Sequence, residues 1–379
     1  MKILGVNISH DTSVAVIEDG EVVSVYEEER CRRSKWFSPA DDCANEYKEL
    51  GLLCIDHKQL HQPDFLTFAS YDRRALALDF KDKVLKDRVL QGELISELSA
   101  QQLTRKRIEE LNIQFKDLMR ISVDREDEDH LICKAIADQC QMETYNFVPE
   151  HHFFHAVCGS HLSPYDECIV LTFDGGGFQT HHEDYPGYQE IECIWHYKDD
   201  NVEPLWKRYS NHRIVSDIQS YFTGYGEDCI HCKEDLEVVI DDVPSVFTSY
   251  PSMGMNFSNM SYALGCDEKG RAAGKVMGMA SYGDMNPKVF TKHTVAQQLE
   301  HVSLEHTVAL IQDAIDMVPD CKNIVLSGGY SLNCTNNYKY LQRFPDHQFF
   351  VDPIPHDGGT AVGAALTDWR KLNANDTDS

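Results

Sequence analysis

The sequence lacks any apolar run long enough to span a bilayer, and it is poor in basic residues. Among its 379 residues, 35 are Lys or Arg and 62 are Asp or Glu, so the formal net charge is −27. Such a chain repels the phosphate backbone of nucleic acid unless its basic residues are concentrated locally. Thirteen cysteines without a signal-like N-terminus favour free thiols in a reducing compartment. We therefore expect a cytoplasmic protein without membrane contact, and nucleic acid is a disfavoured partner.

Three common site motifs are also incomplete. Val276 follows Gly274-Lys275 where a P-loop needs a hydroxyl residue, so a P-loop is disfavoured. His152 stands where the H-E-x-x-H motif of zinc proteases needs glutamate. Cys229 and Cys232 have metal-like spacing, but no second pair follows, and we interpret them as free thiols in a loop.

A group of histidines is the most informative feature that is present. The segment after Pro149 is predicted to be helical, which places His151 and His155 one turn apart on the same face. Two imidazoles at this spacing can bind one metal ion, and Asp357 at a predicted strand-to-helix junction can add an oxygen ligand. Two His and one carboxylate form a set that suits Fe(II). The alternative is an ordinary helix, since the chain has 18 histidines.

A strand–loop–strand–strand pattern occurs twice, beginning near residues 2 and 167. The first loop contains Asp11 to Ser13, and the second contains Asp174 to Gly177. Both loops can offer backbone N–H groups to phosphate. The pattern predicts an α/β, duplicated actin-like fold (ASKHA, ribonuclease H-like) of two lobes with ligand in the cleft between them. Residues 188–197 are predicted to form an edge strand.

We expect three regions in this fold. Residues 1–147 form an N-terminal lobe with a helical insertion, and helices are predicted at 40–50, 80–97 and 104–118. Residues 148–372 form a C-terminal lobe with an insertion near 208–260. Residues 373–379 are a flexible polar tail after a closing helix that ends at Leu372.

Seven motifs, in this order, resemble the O-carbamoyltransferases of nodulation-factor and antibiotic biosynthesis, relatives of the tRNA threonylcarbamoyl transferase. The resemblance covers the chain from residue 5 to residue 365. The motifs are Gly5–Asp11, Glu28–Lys35, Glu150–Ala156, Phe173–Gly175, Gly274–Gly278, Ser327–Cys334 and Asp357–Ala365.

The resemblance implies a metal ion, Fe(II) or another divalent ion with Mg²⁺ as an alternative, held by His151, His155 and Asp357. It also implies ATP or carbamoyl-adenylate in the cleft, and it places His10 and Lys35 near the carbamoyl group and the acceptor. His10 is our candidate to accept the acceptor's proton, and Lys35 would offset oxyanion charge. The residues predicted to bind the nucleotide are Asp11, Ser13, Asp174, Gly175, Gly176, Gly177, Gly274, Lys275, Gly278, Ser327, Gly328, Gly329 and Asn333.

Members of that family usually carry a further C-terminal domain that makes carbamoyl-adenylate from carbamoyl phosphate and ATP. This chain stops just past its closing helix, so either a separate synthetase chain is a partner that supplies this activity, or this protein carries out the first step differently. The expected reaction is carbamoyl transfer to a hydroxyl group of a small molecule, sugar or nucleoside. The alternatives are hydroxymethylpyrimidine in DNA as acceptor, a sugar-kinase-like phosphotransferase, and a non-catalytic nucleotide-binding partner subunit.

Overall fold

The computed structural model describes most of the chain in separate segments. The predicted helices at 40–50, 80–97 and 104–118, the Cys229 and Cys232 pair, and part of 208–260 lie outside the described residues. The described residues are 1–33, 35, 37, 39, 51–70, 132–148, 150–177, 188–210, 235–248, 252–266, 272–284 and 291–377.

A first sheet contains the N-terminal copy of the repeated pattern. Its strands are β1 (Lys2–Asn7), β2 (Ser13–Glu18), β3 (Glu21–Glu27), β4 (Phe65–Ala69) and β5 (Asn146–Val148). The strand order is β3-β2-β1-β4-β5, in which β1, β2 and β3 are antiparallel and β4 and β5 run parallel to β1. Asp19 and Gly20 join β2 to β3 with the positive φ angles that a tight hairpin turn needs, as predicted.

A second sheet repeats this order. Its strands are β6 (Glu167–Phe173), β7 (Gln189–Lys198), β8 (Asn201–Ser210), β9 (Leu236–Ile240), β10 (Val243–Thr248), β11 (Asn323–Ser327) and β12 (Gln348–Val351). The order is β12-β11-β6-β7-β8-β10-β9. The run β8-β7-β6-β11-β12 matches β3-β2-β1-β4-β5 of the first sheet strand for strand. The β9–β10 hairpin extends the edge at β8. The duplicated actin-like fold predicted from the two loops is therefore present.

The helices cover both faces of each sheet. Two 3-10 turns, Gly329–Leu332 and Asp357–Gly359, precede the last helices of the second sheet. The helices are α1 (Glu28–Arg32), α2 (Leu53–Lys58), α3 (132–139), α4 (His151–Leu162), α5 (Met253–Ala263), α6 (Ala273–Ala280), α7 (Lys292–Met317), α8 (Cys334–Arg343) and α9 (Thr360–Thr377).

Two helices connect the sheets. Helix α4 follows β5 of the first sheet but packs on β6 and β11 of the second, whereas α9 follows β12 and packs on β1, β2 and β4. They also pack against each other, and one buried apolar cluster runs from Ile3 through both helices to Val170. A Cβ at Gly5 would collide with the carbonyl oxygen of Ala361, so this packing brings the two backbones into close contact. Residues at the two sheet ends are thus held together through α4 and α9.

The predicted edge strand at 188–197 is wrong in its position. Strand β7 lies between β6 and β8, and both of its faces are buried: Ile194 faces one apolar cluster and Trp195 faces the other. The prediction came from the alternation of side-chain types along this segment. Glu190 and Glu192 are instead buried and paired with cations, which alternation alone does not reveal.

The C-terminus also differs from the expectation. Helix α9 continues past Leu372 to Thr377, where we predicted a flexible tail. The side chain of Asn373 donates a hydrogen bond to the carbonyl of Trp369 one turn earlier, so a polar side chain is accommodated within the helix. Among the helices that the structure describes, none has the length and hydrophobicity needed to cross a membrane.

A buried ion cluster joins β7, β8 and α7. Glu192 Oε2 lies 3.1 Å from His306 Nε2 and 3.5 Å from Arg208 Nη1, and Glu192 Oε1 accepts a hydrogen bond from the backbone of Met253. Burial raises the pKa of Glu192, but His306 and Arg208 outweigh burial and lower it from 4.5 to about 2. The ionised carboxylate therefore stabilises the folded state, by roughly 3 kcal/mol.

This cluster predicts a pH dependence of stability. Because the folded-state pKa of Glu192 is depressed, its contribution is complete above pH 4.5 and is lost as the pH falls towards 2. We expect Glu192→Gln to lower the free energy of unfolding at pH 7 by about 2–3 kcal/mol and to flatten its fall between these pH values. Urea unfolding at several pH values measures this, with the exposed Glu203→Gln as control. Identical pH profiles for the Glu192 variant and the parent would contradict it.

Candidate metal and nucleotide site

The predicted histidine helix is α4, which begins at His151. His151 and His155 lie one turn apart on the same face, as predicted, and both side chains are buried. Their Nε2 atoms are 3.2 Å apart. Two ring nitrogens at this distance need a proton or a metal ion between them, because two lone pairs or two hydrogens would repel each other.

Two carboxylates complete this group. Asp357 lies in the 3-10 turn before α9, and its Oδ1 is 3.5 Å from His151 Nε2 and 3.9 Å from His155 Nε2. Asp174 follows β6, and its Oδ2 is 3.1 Å from His151 Nε2. The ligand atoms of all four residues lie within 4.8 Å of one another, and all four residues are buried. We refer to His151, His155, Asp174 and Asp357 as the four-residue cluster.

The net negative charge of the four-residue cluster favours binding of a cation. Burial disfavours the imidazolium of His151, but the carboxylates of Asp357 and Asp174 outweigh burial and raise its pKa to about 10. Burial and the charge of His151 lower the pKa of His155 to about 3. Two carboxylates thus face one charged imidazolium, His151, and one neutral imidazole, His155. A divalent cation would replace the proton that charges His151.

The geometry of the cluster also fits a metal ion. Imidazole nitrogens and carboxylate oxygens bind Zn²⁺ at about 2.0–2.2 Å, so neighbouring ligands lie roughly 3.0–3.6 Å apart. The separations of 3.1, 3.2 and 3.5 Å around His151 Nε2 fall in this range. The structure brings together the three predicted ligands and adds Asp174, which we predicted only as a nucleotide contact. Its place directly after a central strand, at the sheet end that faces α4, is the signal that identifies it.

His10 lies between this cluster and solvent. Its Nδ1 is 3.2 Å from Asp357 Oδ2, its Nε2 is 3.4 Å from Asp11 Oδ2, and 43% of its side chain is exposed. Burial lowers the pKa of His10, but Asp357 and Asp11 outweigh burial and raise it. Asp357 is further held by a hydrogen bond of 2.8 Å from the hydroxyl of Ser9. Ser9 and His10, which follow β1 of the first sheet, therefore both contact Asp357, which follows β12 of the second sheet.

The two predicted phosphate loops are already partly engaged within the protein. Ser13 donates its hydroxyl hydrogen to the carbonyl of Gly358 at 2.8 Å. The backbone N–H of Thr12 donates to Phe37, and that of Gly177 donates to Glu190. These bonds are made within the protein, and contact of Ser13, Gly175, Gly176 or Gly177 with phosphate stays a prediction.

The Ser327-Gly328-Gly329 turn packs against the Asp174 loop. Gly328 has a φ of 87°, and a Cβ there would collide with the carbonyl of Phe173, so only glycine fits. The N–H of Gly329 donates to Asp174 Oδ1 at 3.0 Å. The turn thereby holds one oxygen of Asp174 while the other faces His151.

Two predicted nucleotide contacts have supporting roles in this structure. Ser327 is buried and donates to Asp352 Oδ2 at 2.7 Å. Asn333 is buried, caps α8 and donates to Glu300 Oε2 at 2.9 Å. Both side chains therefore form hydrogen bonds that support the loop. The Ser-Gly-Gly and Asn motifs alone do not distinguish such a supporting role from direct contact with a nucleotide. Contact of Ser327 or Asn333 with a nucleotide stays a prediction.

Gly274, Lys275 and Gly278 lie on α6. Gly274 and Gly278 are one turn apart and exposed, and a Cβ on either would meet no atom within 4 Å. Lys275 Nζ donates to the carbonyl of Cys266 at 3.2 Å. The two glycines thus leave an open strip on the helix, on which a flat ring could lie. Lys35, the second predicted catalytic residue, is exposed, and its role stays a prediction.

The open strip gives a prediction with two readouts. Gly278→Ala should raise the free energy of unfolding by about 1 kcal/mol, because alanine favours an exposed helix interior over glycine. It should also weaken binding of AMP, because the new methyl group would occupy the predicted contact face. Thermal unfolding and AMP titration measure the two effects. A stabilised variant with unchanged AMP affinity would exclude this face of α6 from the nucleotide site.

Comparisons with known proteins match the sequence of this chain to one family. The model described as carbamoyltransferase N-terminus matches residues 2–300 and 288–366. The nodulation protein NolNO of Sinorhizobium fredii is 22% identical over 360 residues, which cover 94% of this chain and 46% of that protein. An uncharacterized Synechocystis protein is 22% identical over 391 residues, which cover 99% of this chain and 58% of that protein. The chain thus spans about half the length of these curated relatives.

Solved structures are similar at lower sequence identity. The structure of full-length HypF in its phosphate- and nucleotide-bound form has a TM-score of 0.48 at 12% identity, covering 98% of this chain and 46% of that one. A ROK family glucokinase from Streptomyces griseus, in complex with glucose and AMPPNP, has a TM-score of 0.43 at 13% identity, covering 96% and 98%.

Proposed function

Because the chain belongs to the carbamoyltransferase family, we propose that it moves a carbamoyl group from carbamoyl-adenylate to an acceptor hydroxyl at the four-residue cluster. The observation that carries the proposal is the convergence of two imidazole nitrogens and two carboxylates within 4.8 Å, beside the glycine loops and below His10. The acceptor class is a small molecule, a sugar or a nucleoside.

His151, His155 and Asp357, with Asp174 as the fourth candidate, would hold Fe(II) or another divalent ion. When bound, such an ion supplies Lewis acidity towards a carbonyl or phosphoryl oxygen. The side chains themselves supply a buried set of ligand atoms with two carboxylates, beside His10. The N–H groups of Gly175 and Gly176, in the adjoining loop, would contact the adenylate phosphate.

His10 is the proposed general base. In the transfer step the acceptor oxygen forms a bond to the carbamoyl carbon, and the bond from that carbon to the phosphate oxygen breaks, releasing AMP. The proton of the acceptor hydroxyl passes to His10 Nε2, whose partner nitrogen Nδ1 is oriented by Asp357. Lys35 would offset negative charge that develops on the carbonyl oxygen of the carbamoyl group. A cation held by Asp357 would offset the carboxylate charge that raises the pKa of His10.

The test supplies the donor directly. Purified protein is incubated with synthetic carbamoyl-adenylate and a panel of hydroxyl compounds, and the products are analysed by mass spectrometry. We expect one acceptor to gain one carbamoyl group with matching release of AMP. Parallel reactions with carbamoyl phosphate and ATP show whether the protein also makes its donor. AMP release without any carbamoylated acceptor across sugars, nucleosides and secondary metabolites would contradict the proposal.

A further inference from the structure

His152 lies next to the four-residue cluster but faces away from its centre. Its side chain is buried, and its Nδ1 is 3.5 Å from both Cys193 Sγ and Glu190 Oε2. On the opposite side of the ring, Nε2 lies 4.0 Å from Asp174 Oδ2 and has no hydrogen-bond partner among the described residues. A buried polar nitrogen without a hydrogen-bond partner destabilises the folded state, so its presence calls for an explanation.

Residues on the Nδ1 side of the His152 ring pack closely around it. Glu190 Oε1 accepts a hydrogen bond from Lys207 Nζ at 2.6 Å, and Tyr209 lies at 3.5 Å from the same oxygen. A Cβ at Gly177 would lie 3.0 Å from the ring of His152, so the glycine of the phosphate loop is what gives this ring its space. The ring of His152 therefore lies with Nδ1 towards Cys193 and Glu190 and with Nε2 towards Asp174.

The hydrogen on Nε2 follows from what each ring nitrogen faces. In a neutral ring, the thiol of Cys193 can donate to Nδ1, which leaves the ring hydrogen on Nε2. In a charged ring, Nδ1–H faces Glu190 and Nε2 again carries a hydrogen. Only the remaining tautomer would point a lone pair at the Asp174 carboxylate, and two acceptors facing each other repel. Nε2–H therefore points at Asp174 Oδ2 in both favoured states.

We propose that His152 is a positioning residue that orients Asp174 for metal binding through its Nε2–H group. The inference rests on the proposed function, since it needs the four-residue cluster to bind a metal ion. Asp174 Oδ1 is held by the N–H of Gly329, and Oδ2 is the oxygen that faces His151. A hydrogen bond from His152 to Oδ2 would fix the second oxygen and thus the whole carboxylate plane, as outer residues of metal sites commonly do.

His152, Glu190 and Cys193 could also be viewed as metal ligands themselves, because their donor atoms lie within 4.8 Å of one another. Two observations oppose this. The positive charge of Lys207 is only 2.6 Å from Glu190 and already balances that carboxylate. Burial also raises the pKa of the Cys193 thiol, so a metal ion would have to displace a tightly held proton. Metal binding at these three residues is therefore an outcome that the experiment must distinguish.

The experiment compares Co²⁺ binding to the parent protein, His152→Leu and His152→Gln by titration and absorption spectroscopy. Glutamine can place an amide N–H near the position of Nε2, whereas leucine cannot donate a hydrogen bond. We expect His152→Leu to weaken Co²⁺ binding about 10–100-fold and His152→Gln to stay within roughly threefold of the parent. Cys193→Ala, which removes the donor behind the ring, should give a smaller loss in the same direction even where the leucine variant folds poorly. Thermal unfolding separates a loss of affinity from a loss of structure.

The results separate this inference from the proposed function. A parent protein that binds no Co²⁺ would overturn both. Co²⁺ binding that is equally tight in the parent and the folded His152→Leu protein would overturn the positioning role and leave the proposed function standing. A sulfur-to-cobalt absorption band that disappears in Cys193→Ala would also overturn it, because the four-residue cluster contains no sulfur and the ion would lie at Cys193 instead.

Discussion

Replacing His151 or His155 by alanine should remove the bound metal ion and carbamoyl transfer together. Each substitution deletes one of two nitrogen donors whose Nε2 atoms are 3.2 Å apart. One imidazole and two carboxylates remain, so the ion would keep only one nitrogen ligand. Changes to outer residues of metal sites already cost about 10–100-fold in affinity, so loss of a direct ligand should exceed 100-fold. Metal analysis and transfer from carbamoyl-adenylate measure the two losses.

The matched control for this prediction is His161→Ala. His161 is on the same helix, α4, but it is not one of the four clustered residues. It should keep both metal and transfer at the parent's level, which shows that changing a histidine of α4 is not harmful in itself. Full transfer by a metal-free His151→Ala protein would contradict the mechanism, because the reaction would then need no ion.

The second large effect is expected at the crossing of α4 and α9. A Cβ at Gly363 would collide with the carbonyl oxygen of Phe154, which directly precedes His155. Because the obstacle is backbone, no side-chain rotation relieves it, and Gly363→Ala must push the helices apart. Overpacking costs typically 1–3 kcal/mol, and we expect about 3 kcal/mol here. The displacement should also weaken metal binding, since His155 moves with Phe154.

Denaturant unfolding and Co²⁺ titration test this second prediction. Gly278→Ala is the reference, because it makes the same chemical change on an exposed helix face with no atom within 4 Å. The two variants should shift stability in opposite directions. A Gly363→Ala protein as stable as the parent would show that α4 and α9 are not tightly packed at this point, and the link between the lobes would need revision.

Much of the fold follows from local sequence signals. The Asp19-Gly20 hairpin, the two copies of the strand–loop–strand pattern, and the one-turn spacing of His151 and His155 each depend on residues close together in the chain. Such signals need no knowledge of tertiary contacts. They therefore predicted the strands around each loop and the shared face of the two histidines.

The failures have a common physical cause. The segment 188–197 was predicted to be an edge strand, but Glu190 and Glu192 are buried because they pair with Lys207 and Arg208 on the next strand. Pairing between strands cannot be seen in the sequence pattern of one strand. The hydrogen bond from Ser327 to Asp352 was also not predicted, because the two residues are 25 positions apart in sequence. Interactions between distant residues decide whether a polar side chain faces a ligand or supports a loop.

The site shows the same limit. Asp174 was assigned to the nucleotide loop because of the glycines beside it, and its position against His151 depends on how α4 crosses β6. Helix spacing alone places His152 off the face that His151 and His155 share, so spacing gives it no role in the site. Its meaning comes from Cys193 and Glu190 on β7, which only the folded chain places against it.

Carbamoyl transfer before and after removal of metal tests the central claim most directly. The purified protein is treated with a chelator, its metal content is measured, and transfer from carbamoyl-adenylate is assayed before and after addition of Fe(II) under anaerobic conditions. We predict that transfer falls in proportion to the metal removed and returns when a single ion per chain is restored. Undiminished transfer by metal-free protein would contradict the assignment of the four-residue cluster as the centre of the reaction.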